Sequence, residues 1–375
     1  MRVALVHDFL TKNGGAERVL VALHKIYPDA PVYTLLYDQK GTKNRYKDWE
    51  IRTSNLQKLP GFIRKPRFLL SQLAPAIEEF DFSSFDLVVS SSNSFAHGII
   101  TPAKTFHLSY CHSPMRYAWD WCNEYLKENK IGFGLKGMLI RYLIHKIRIW
   151  DKIAADRVDC WVANSANVQK RIKKYYQKDS TIVYPPVDTE NIRSEVQKPK
   201  DFYLIISRLE PYKNIRAAVE AFNQVGKKLI IIGEGSEFSS LQQIAKGNIN
   251  LLGWQDDQTV RRCLTECKAL VFPGEDDFGI TPVESMAAGR PVIALRKGGA
   301  LETVIEGKTG IFIEGNQASD IVAAVRKYEL HAGKFEAGEC RKQALTFSED
   351  NFRKSMQAAV DQGLLNYKKR MGERG

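Results

Sequence analysis

The sequence predicts an α/β protein made of two doubly wound, parallel-sheet domains. Short apolar runs alternate with helical patterns along the whole chain, as they do when helices cross over between parallel strands. At 375 residues the chain can bury two cores of ordinary size. Between its halves lies YPPVDTENIRSEVQKPKD, residues 184–201, rich in proline and charge and without sustained periodicity. Strands are expected at residues 3–8, 87–91, 105–110 and 160–164 of the first half. In the second half they are expected at 202–207, 228–233, 249–252, 270–273, 292–295 and 310–313. A boundary near residue 190 gives domains 1–190 and 191–347, followed by a helix over 348–367 and the basic tail KKRMGERG.

Composition narrows the partners. Lys and Arg outnumber Asp and Glu by 55 to 43, a formal charge of +12, so an anionic partner is expected: nucleic acid, a membrane surface or a phosphorylated ligand. No stretch approaches the roughly 20 apolar residues of a spanning helix, and MRVALVHDFL lacks the regions of a signal peptide. Cytosolic placement is the expectation. The six cysteines have no C-x-x-C spacing, which argues for reduced, structural thiols.

The chemistry concentrates where strands end. In PGEDDFGITPVESMAAGRP, residues 273–291, an apolar strand runs into an acidic loop and then a helix expected over 281–288, with Pro282 near its first turn. The N–H groups of Phe278, Gly279, Ile280 and Thr281 would face an anion such as a diphosphate. Asp276 and Glu284 would place one carboxylate on the loop and one in the helix, each an acceptor for vicinal hydroxyls. SRLEPYKN, residues 207–214, offers Arg208 and Lys213 to phosphates, with Asn214 as the expected helix cap. IIIGEGSE ends a strand in Gly233 and Gly235, either a phosphate approach or a tight turn. Trp254, in LLGWQDD, is a base-stacking candidate or a core aromatic. In the first half, NGGAER brings Gly14 and Gly15 to a strand end but lacks the third glycine of a dinucleotide fingerprint. YCHSPMRYAWDW places His112 at another strand end, as a structural histidine or a functional one. Ser92, Asn93, Asn164 and Ser165 read as caps and turn formers. EDD at 275–277 has no second ligand set, so no metal and no cofactor is expected.

Together these segments resemble the retaining glycosyltransferases of family 4, which share the two-domain GT-B fold. Phe278, Gly279, Pro282, Glu284 and residues 289–292 fall on that family's E-x7-E signature, and SRLEPYKN fits its S-R-L-x-x-x-K-N pattern. The resemblance is strong over 207–310 and looser before 184. It implies two Rossmann-like domains facing across a cleft, the first binding the acceptor and the second the nucleotide-sugar donor, with the last helix (348–375) returning to the first. It also implies that the backbone near Trp254 reads the nucleobase and that Gly14 and Gly15 approach the donor phosphates. His112, Asp276, Glu284, Arg208 and Lys213 would form the catalytic set. The signature's first acid is Asp276 where the family has Glu, one methylene or ~1.5 Å shorter, which leaves the first acidic role to Asp276 or to Glu275. The segment around His112 resembles bacterial polysaccharide mannosyltransferases. GDP-mannose is accordingly the expected donor, and a lipid-linked oligosaccharide at the inner face of the plasma membrane the expected acceptor. By resemblance, attack occurs on the same face as departure, and the leaving phosphate takes the acceptor proton. Rival readings are a UDP-sugar donor, a GT-B epimerase and, last, a nucleic-acid binder, which would need aromatics interleaved with bases on one platform.

One helix has two readings. Residues 131–152 carry Lys136, Arg141, Lys146 and Arg148 and no acid before Asp151. Leu135, Leu139, Tyr142, Leu143, Ile147, Trp150 and Ala154 are expected to form one apolar stripe, lying either on an anionic membrane or in the domain core. The run GFIRKPRFLL, residues 61–70, adds weight to membrane contact.

Overall fold

The structure is a computed structural model describing residues 1–61, 64, 69–190, 192 and 198–372. Most of GFIRKPRFLL and part of the 184–201 connection lie outside the described residues. The chain divides into two compact units, one formed by Met1–Tyr184 with Phe352–Gly375 and the other by Pro185–Asn351.

The first unit is built on a seven-stranded parallel sheet, ordered β3-β2-β1-β4-β5-β6-β7. Its strands are β1 (Val3–Leu10), β2 (Val32–Tyr37), β3 (Ile51–Thr53), β4 (Leu87–Ser92), β5 (Phe106–Cys111), β6 (Cys160–Ala163) and β7 (Ser180–Ile182). The second unit holds a six-stranded parallel sheet, β10-β9-β8-β11-β12-β13. Its strands are β8 (Tyr203–Ile206), β9 (Leu229–Ile232), β10 (Ile249–Gly253), β11 (Ala269–Phe272), β12 (Val292–Leu295) and β13 (Gly310–Ile313). Both orders reverse direction once, between β1 and β4 and between β8 and β11. That is the doubly wound plan, with a crevice at the carboxyl ends where the order reverses. β2, β3 and β7 were not among the expected strands. The signal for β2 was present, an apolar run between Pro31 and Asp38, whereas β3 and β7 have three residues each and sit at the sheet edges.

In the second unit β11, β12 and β13 are buried along their whole length, as apolar strands covered on both faces must be. The first sheet departs from this pattern. β4 and β5 are equally buried yet contain Ser90, Ser91, Ser92, His107 and Ser109. Burial of polar groups is tolerated where they pair, and all three serines of β4 pair with histidines. Ser90 Oγ lies 2.8 Å from His107 Nε2, Ser91 Oγ 2.8 Å from His112 Nε2, and Ser92 Oγ 3.1 Å from His97 Nδ1. Asp8, buried in β1, accepts the N–H groups of Asn93, Ser94, Phe95 and Ala96 and so fixes the turn that leaves β4.

The last helix, Glu349–Arg370, belongs to the first unit from Phe352 onward. Phe352, Met356 and Val360 join the core formed by Leu5, Val89, Leu108 and Tyr110. At Gly363 an added Cβ would lie 2.6 Å from the Phe106 ring, so this contact requires glycine.

The helix Leu135–Ala155 corrects the single-stripe expectation. Ile144, Ile147, Ala154 and Ala155 are buried, whereas Leu135, Met138, Leu139, Tyr142, Ile149 and Ile153 are exposed on the opposite side. At about 100° per residue the two sets form two faces. The expected stripe had drawn members from both.

Candidate functional site

In the second unit, the loops after β8 and β11 meet across the order reversal. The turn Pro211–Lys213 brings Lys213 to 9% exposure, and its ammonium is ion-paired with Asp276 on the loop after β11. The Lys213 Nζ and the Arg208 guanidinium lie 5.2 and 5.7 Å from the Tyr212 ring, so both cations flank one aromatic. Arg208 is exposed. Asn214 occupies the position before the helix Ile215–Val225, but its side chain does not cap that helix. Instead its Nδ2 donates to Asn316 O at 3.0 Å and to Pro273 O at 3.4 Å, tying the turn to the neighbouring loops. The cap expectation therefore fails: Asn214 lies in the left-handed region at φ 56 rather than the extended conformation of a capping residue, and the bonds from Nδ2 orient its amide.

The helix after the acidic loop spans Ile280–Ala287, one residue earlier than expected. Gly279 precedes it at φ 82 and gives it no side-chain cap. The first turn of any helix has N–H groups without intrahelical acceptors, at the positive end of its dipole. Glu284 lies inside this helix at 8% exposure, while Glu275 and Asp276 are half-buried on the loop. Phe278 is buried and meets Phe347 edge-on at 5.3 Å.

Glycines hold this loop from both sides. A Cβ on Gly274 would lie 2.7 Å from Lys213 O, one on Gly298 2.2 Å from Asp276 O, and one on Gly299 2.3 Å from Phe278 Cα. The Gly299 N–H also donates to Asp276 O at 2.9 Å. Gly298 and Gly299 were missed in the sequence, although the pair GG between a strand and a helical pattern was a usable signal. Gly233 and Gly235 act similarly. Their added Cβ atoms would lie 1.8 Å from Ser207 O and 2.2 Å from Leu209 O, so their small size lets two backbones touch beside Arg208. Trp254, beyond β10, is 55% exposed, which excludes the core reading.

In the first unit the candidates again lie at strand ends. Gly14 precedes the helix Gly15–Ile26 in an extended conformation, and its own added Cβ would sit 2.9 Å from Glu17 Oε2. His112 follows β5. Its N–H donates to Ser92 O at 2.8 Å, its carbonyl accepts from Asn164 Nδ2 at 2.9 Å, and burial with the nearby His7 pushes its imidazole down to about 3. Ser91 Oγ also lies 3.1 Å from His7 Nδ1, and His7 Nε2 is 3.9 Å from Glu17 Oε1. His7, Glu17 and Ser91 were not singled out by sequence. Ser165 caps the helix Ala166–Arg171, accepting from Val168 N–H at 3.1 Å. Among the described residues no group of His, Cys, Asp and Glu could hold a metal ion, and no helix is long and apolar enough to cross a membrane.

A parallel sheet whose order-reversal loops join a lysine to a carboxylate beside an uncapped helix start is suited to nucleotide ligands. Residues 186–337 match the family described as Glycosyl transferases group 1. Anabaena HepE, solved with UDP-glucose, superposes with a TM-score of 0.71 at 18% identity, covering 96% of this chain and 100% of its own.

Over residues 186–337 the chain is similar to that group, and its two parallel-sheet units have the fold of the GT-B glycosyltransferases.

Its curated relatives include proteins of archaea and eukaryotes. It is 28% identical over 181 residues to an uncharacterized glycosyltransferase of Methanocaldococcus jannaschii, aligning 47% of this chain with 51% of that protein. It is 24% identical over 283 residues to the alpha-1,3/1,6-mannosyltransferase ALG2 of Dictyostelium discoideum, aligning 62% of this chain with 63% of that one. The chain thus spans less than two thirds of the length of either relative. The family match lies wholly in the second unit, which contains Arg208, Lys213, Asp276 and Glu284.

Proposed function

We propose that the protein moves a hexose, with retention, from a nucleoside-diphosphate sugar to a hydroxyl of a membrane-anchored oligosaccharide. The observation that carries this reading is the Lys213–Asp276 pair at the β8/β11 order reversal, beside the start of the helix Ile280–Ala287. An arriving diphosphate competes with Asp276 for Lys213. Arg208 and the N–H groups of Ile280 and Thr281 add their charge and dipoles, so charge on the departing diphosphate is stabilised without a metal. Asp276, released from Lys213, accepts hydroxyls of the donor sugar together with Glu275, and Glu284 holds the ribose. His112 faces the reacting sugar, Gly14 and Gly15 approach the phosphates, and Trp254 covers the base. The acceptor attacks on the face from which the diphosphate departs, and the leaving phosphate takes its proton.

A UDP-sugar is the first reading of the donor, supported by the likeness in fold to HepE, solved with UDP-glucose. GDP-mannose is the second, supported by the segment around His112 and by the mannosyltransferase relative. Thermal unfolding with UDP, GDP, NAD and a short single-stranded oligonucleotide separates them, since a ligand that binds only the folded state raises its stability. Stabilisation by UDP or GDP alone supports transfer and assigns the base. Response to the oligonucleotide alone overturns the proposal. Nucleotide release that needs no acceptor favours an epimerase, and full transfer by Asp276→Ala removes Asp276 from the site.

The acceptor side is an anionic membrane surface on the cytoplasmic side. Phe133, Leu135, Met138, Leu139, Tyr142, Ile149 and Ile153 are exposed along one segment. The Arg141 guanidinium lies 4.6 Å from the Phe133 ring and Lys146 Nζ 5.4 Å from the Tyr142 ring, so bases border the apolar surface. A second copy of this face would bring like charges together, whereas an anionic bilayer satisfies both features. The protein is expected to sediment with phosphatidylglycerol vesicles and not with phosphatidylcholine alone. A Leu139→Ser, Tyr142→Ser variant is expected to lose sedimentation while keeping its thermal midpoint; unchanged sedimentation would overturn the assignment.

A further inference from the structure

Four side chains from separate elements of the first unit form a series with a buried middle and half-buried ends: Glu17 on the first helix, His7 on β1, Ser91 on β4 and His112 beyond β5. The successive separations are 3.9 Å from Glu17 Oε1 to His7 Nε2, 3.1 Å from His7 Nδ1 to Ser91 Oγ, and 2.8 Å from Ser91 Oγ to His112 Nε2. The first is an electrostatic contact and the other two are hydrogen bonds. We infer that Glu17, His7 and Ser91 are positioning residues that fix the tautomer of His112, placing its proton on Nε2 and leaving Nδ1 as a lone-pair acceptor for a hydroxyl of the donor sugar. The last clause rests on the function proposed above.

The direction follows from which groups can donate. Burial works against the charged form of Glu17, but its interaction with His7, with Lys12 behind it, holds its carboxyl below the ordinary value. A carboxylate only accepts, so His7 turns its N–H toward Glu17 and carries that proton on Nε2. In the neutral ring that the inference assigns to His7, Nδ1 is then a lone pair, which accepts the hydroxyl proton of Ser91; a doubly protonated ring would donate from Nδ1 and reverse the bonds to Ser91 and His112. Ser91 Oγ, having donated once, accepts from His112 Nε2–H. Burial keeps His112 neutral, with one proton to place, and this sequence of donors places it. A serine hydroxyl can serve the series in either direction, so the carboxylate at one end decides the state of the imidazole at the other.

β1 and β4 pair in parallel with His7 opposite Ser91, which fixes the middle of the series by sheet register. His7 and Ser91 are both fully enclosed. The arrangement therefore acts on the hydrogen-bonding character of His112 and not on its place in the fold, which the backbone contacts to Ser92 and Asn164 already hold.

The test is side-chain nitrogen NMR on the full chain labelled with ¹⁵N-histidine, first without ligand. The expected His112 spectrum has a protonated Nε2 and a bare Nδ1. Glu17→Gln is the decisive variant, because its amide can donate to His7 Nε2 and reverse every bond in the series, moving the His112 proton to Nδ1. Ser91→Ala removes the bridge and is expected to leave His112 as a mixture of tautomers. In transfer assays with the stabilising nucleotide sugar, both variants are expected to lose about 10-fold or more in kcat/KM while nucleotide affinity stays within about 2-fold, as befits loss of one neutral hydrogen bond. A wild-type His112 protonated on Nδ1 overturns the inference, as does a spectrum unchanged in both variants. The spectrum is read without a donor. If the tautomer is as assigned and no nucleotide sugar binds, the proposed function fails and the relay stands; if nucleotide sugars bind and the tautomer is otherwise, the relay alone fails.

Discussion

His107 shows how far burial sets chemistry in this chain. It lies wholly inside β5 with Ser90 as its partner, and burial, aided by the nearby His97 and Arg157, pushes its imidazole from the ordinary 6.5 down to about 3. Its folded value is depressed, so between about 6.5 and about 3 the unfolded chain binds a proton that the native chain refuses. The stability contributed by the neutral ring is fully present above that window and is lost as pH falls through it, at up to about 1.4 kcal/mol per pH unit for one such group. Urea unfolding at pH 7 and pH 5 checks this: His107→Gln is expected to reduce the difference, the remainder including the similarly depressed His112, and an equal fall in both chains would contradict it. The candidate site at the same scale was legible only in part. Asp276, Glu284, Arg208 and Lys213 stand in local motifs at strand ends, where residue type and spacing state the chemistry. Glu17, His7 and Ser91 share no motif, because sheet register and a helix start bring them together. Ser92, His97 and Asp151 mimic a hydrolytic series, with 3.1 and 3.2 Å between successive atoms. All three are enclosed and Asp151 also accepts from Trp119 Nε1, so this series is part of the core.

Elements were read well where both faces of a strand are apolar, and less well at edges. β9, LIII, states itself, whereas β3 and β7 draw their stability from a neighbouring strand and leave little local pattern. The helix Leu135–Ala155 failed differently. Two apolar faces on one helix overlap in sequence periodicity, and only packing separates the buried from the exposed. The turn holding Gly298 and Gly299 is the element on which the site most depends, since the acidic loop rests on it. Gly299→Ala puts a methyl group into the Phe278 backbone and is expected to cost about 1–3 kcal/mol, as overpacking does, and to weaken nucleotide binding with it. Gly247→Ala, where an added Cβ meets nothing within 4 Å, serves as the control and is expected to stay within about 0.5 kcal/mol. Equal unfolding midpoints for the two variants would show that the loop yields freely.

At the scale of the molecule, the first unit is discontinuous: its final segment arrives only after the whole of the second has been made. Resemblance supplied that expectation; the local sequence could not, because a basic amphipathic helix at a chain end does not say which sheet it covers. The packing gives it a physical consequence. Phe352, Met356 and Val360 sit among Leu5, Val89, Leu108 and Tyr110, and burying side chains of this size contributes about 1.5–3 kcal/mol each. Three such losses are comparable with the whole stability of an ordinary domain, roughly 5–15 kcal/mol. A chain ending at residue 348 is therefore expected to lose amide-exchange protection in β1, β4 and β5 while β8, β11 and β12 keep theirs. If the second unit carries the nucleotide site alone, the truncated chain should still slow exchange around Lys213 and Asp276 when UDP or GDP is added, although transfer is gone. Protection lost equally from both sheets would mean that the units fold as one, and the assignment of the nucleotide to the second unit would then need its own proof.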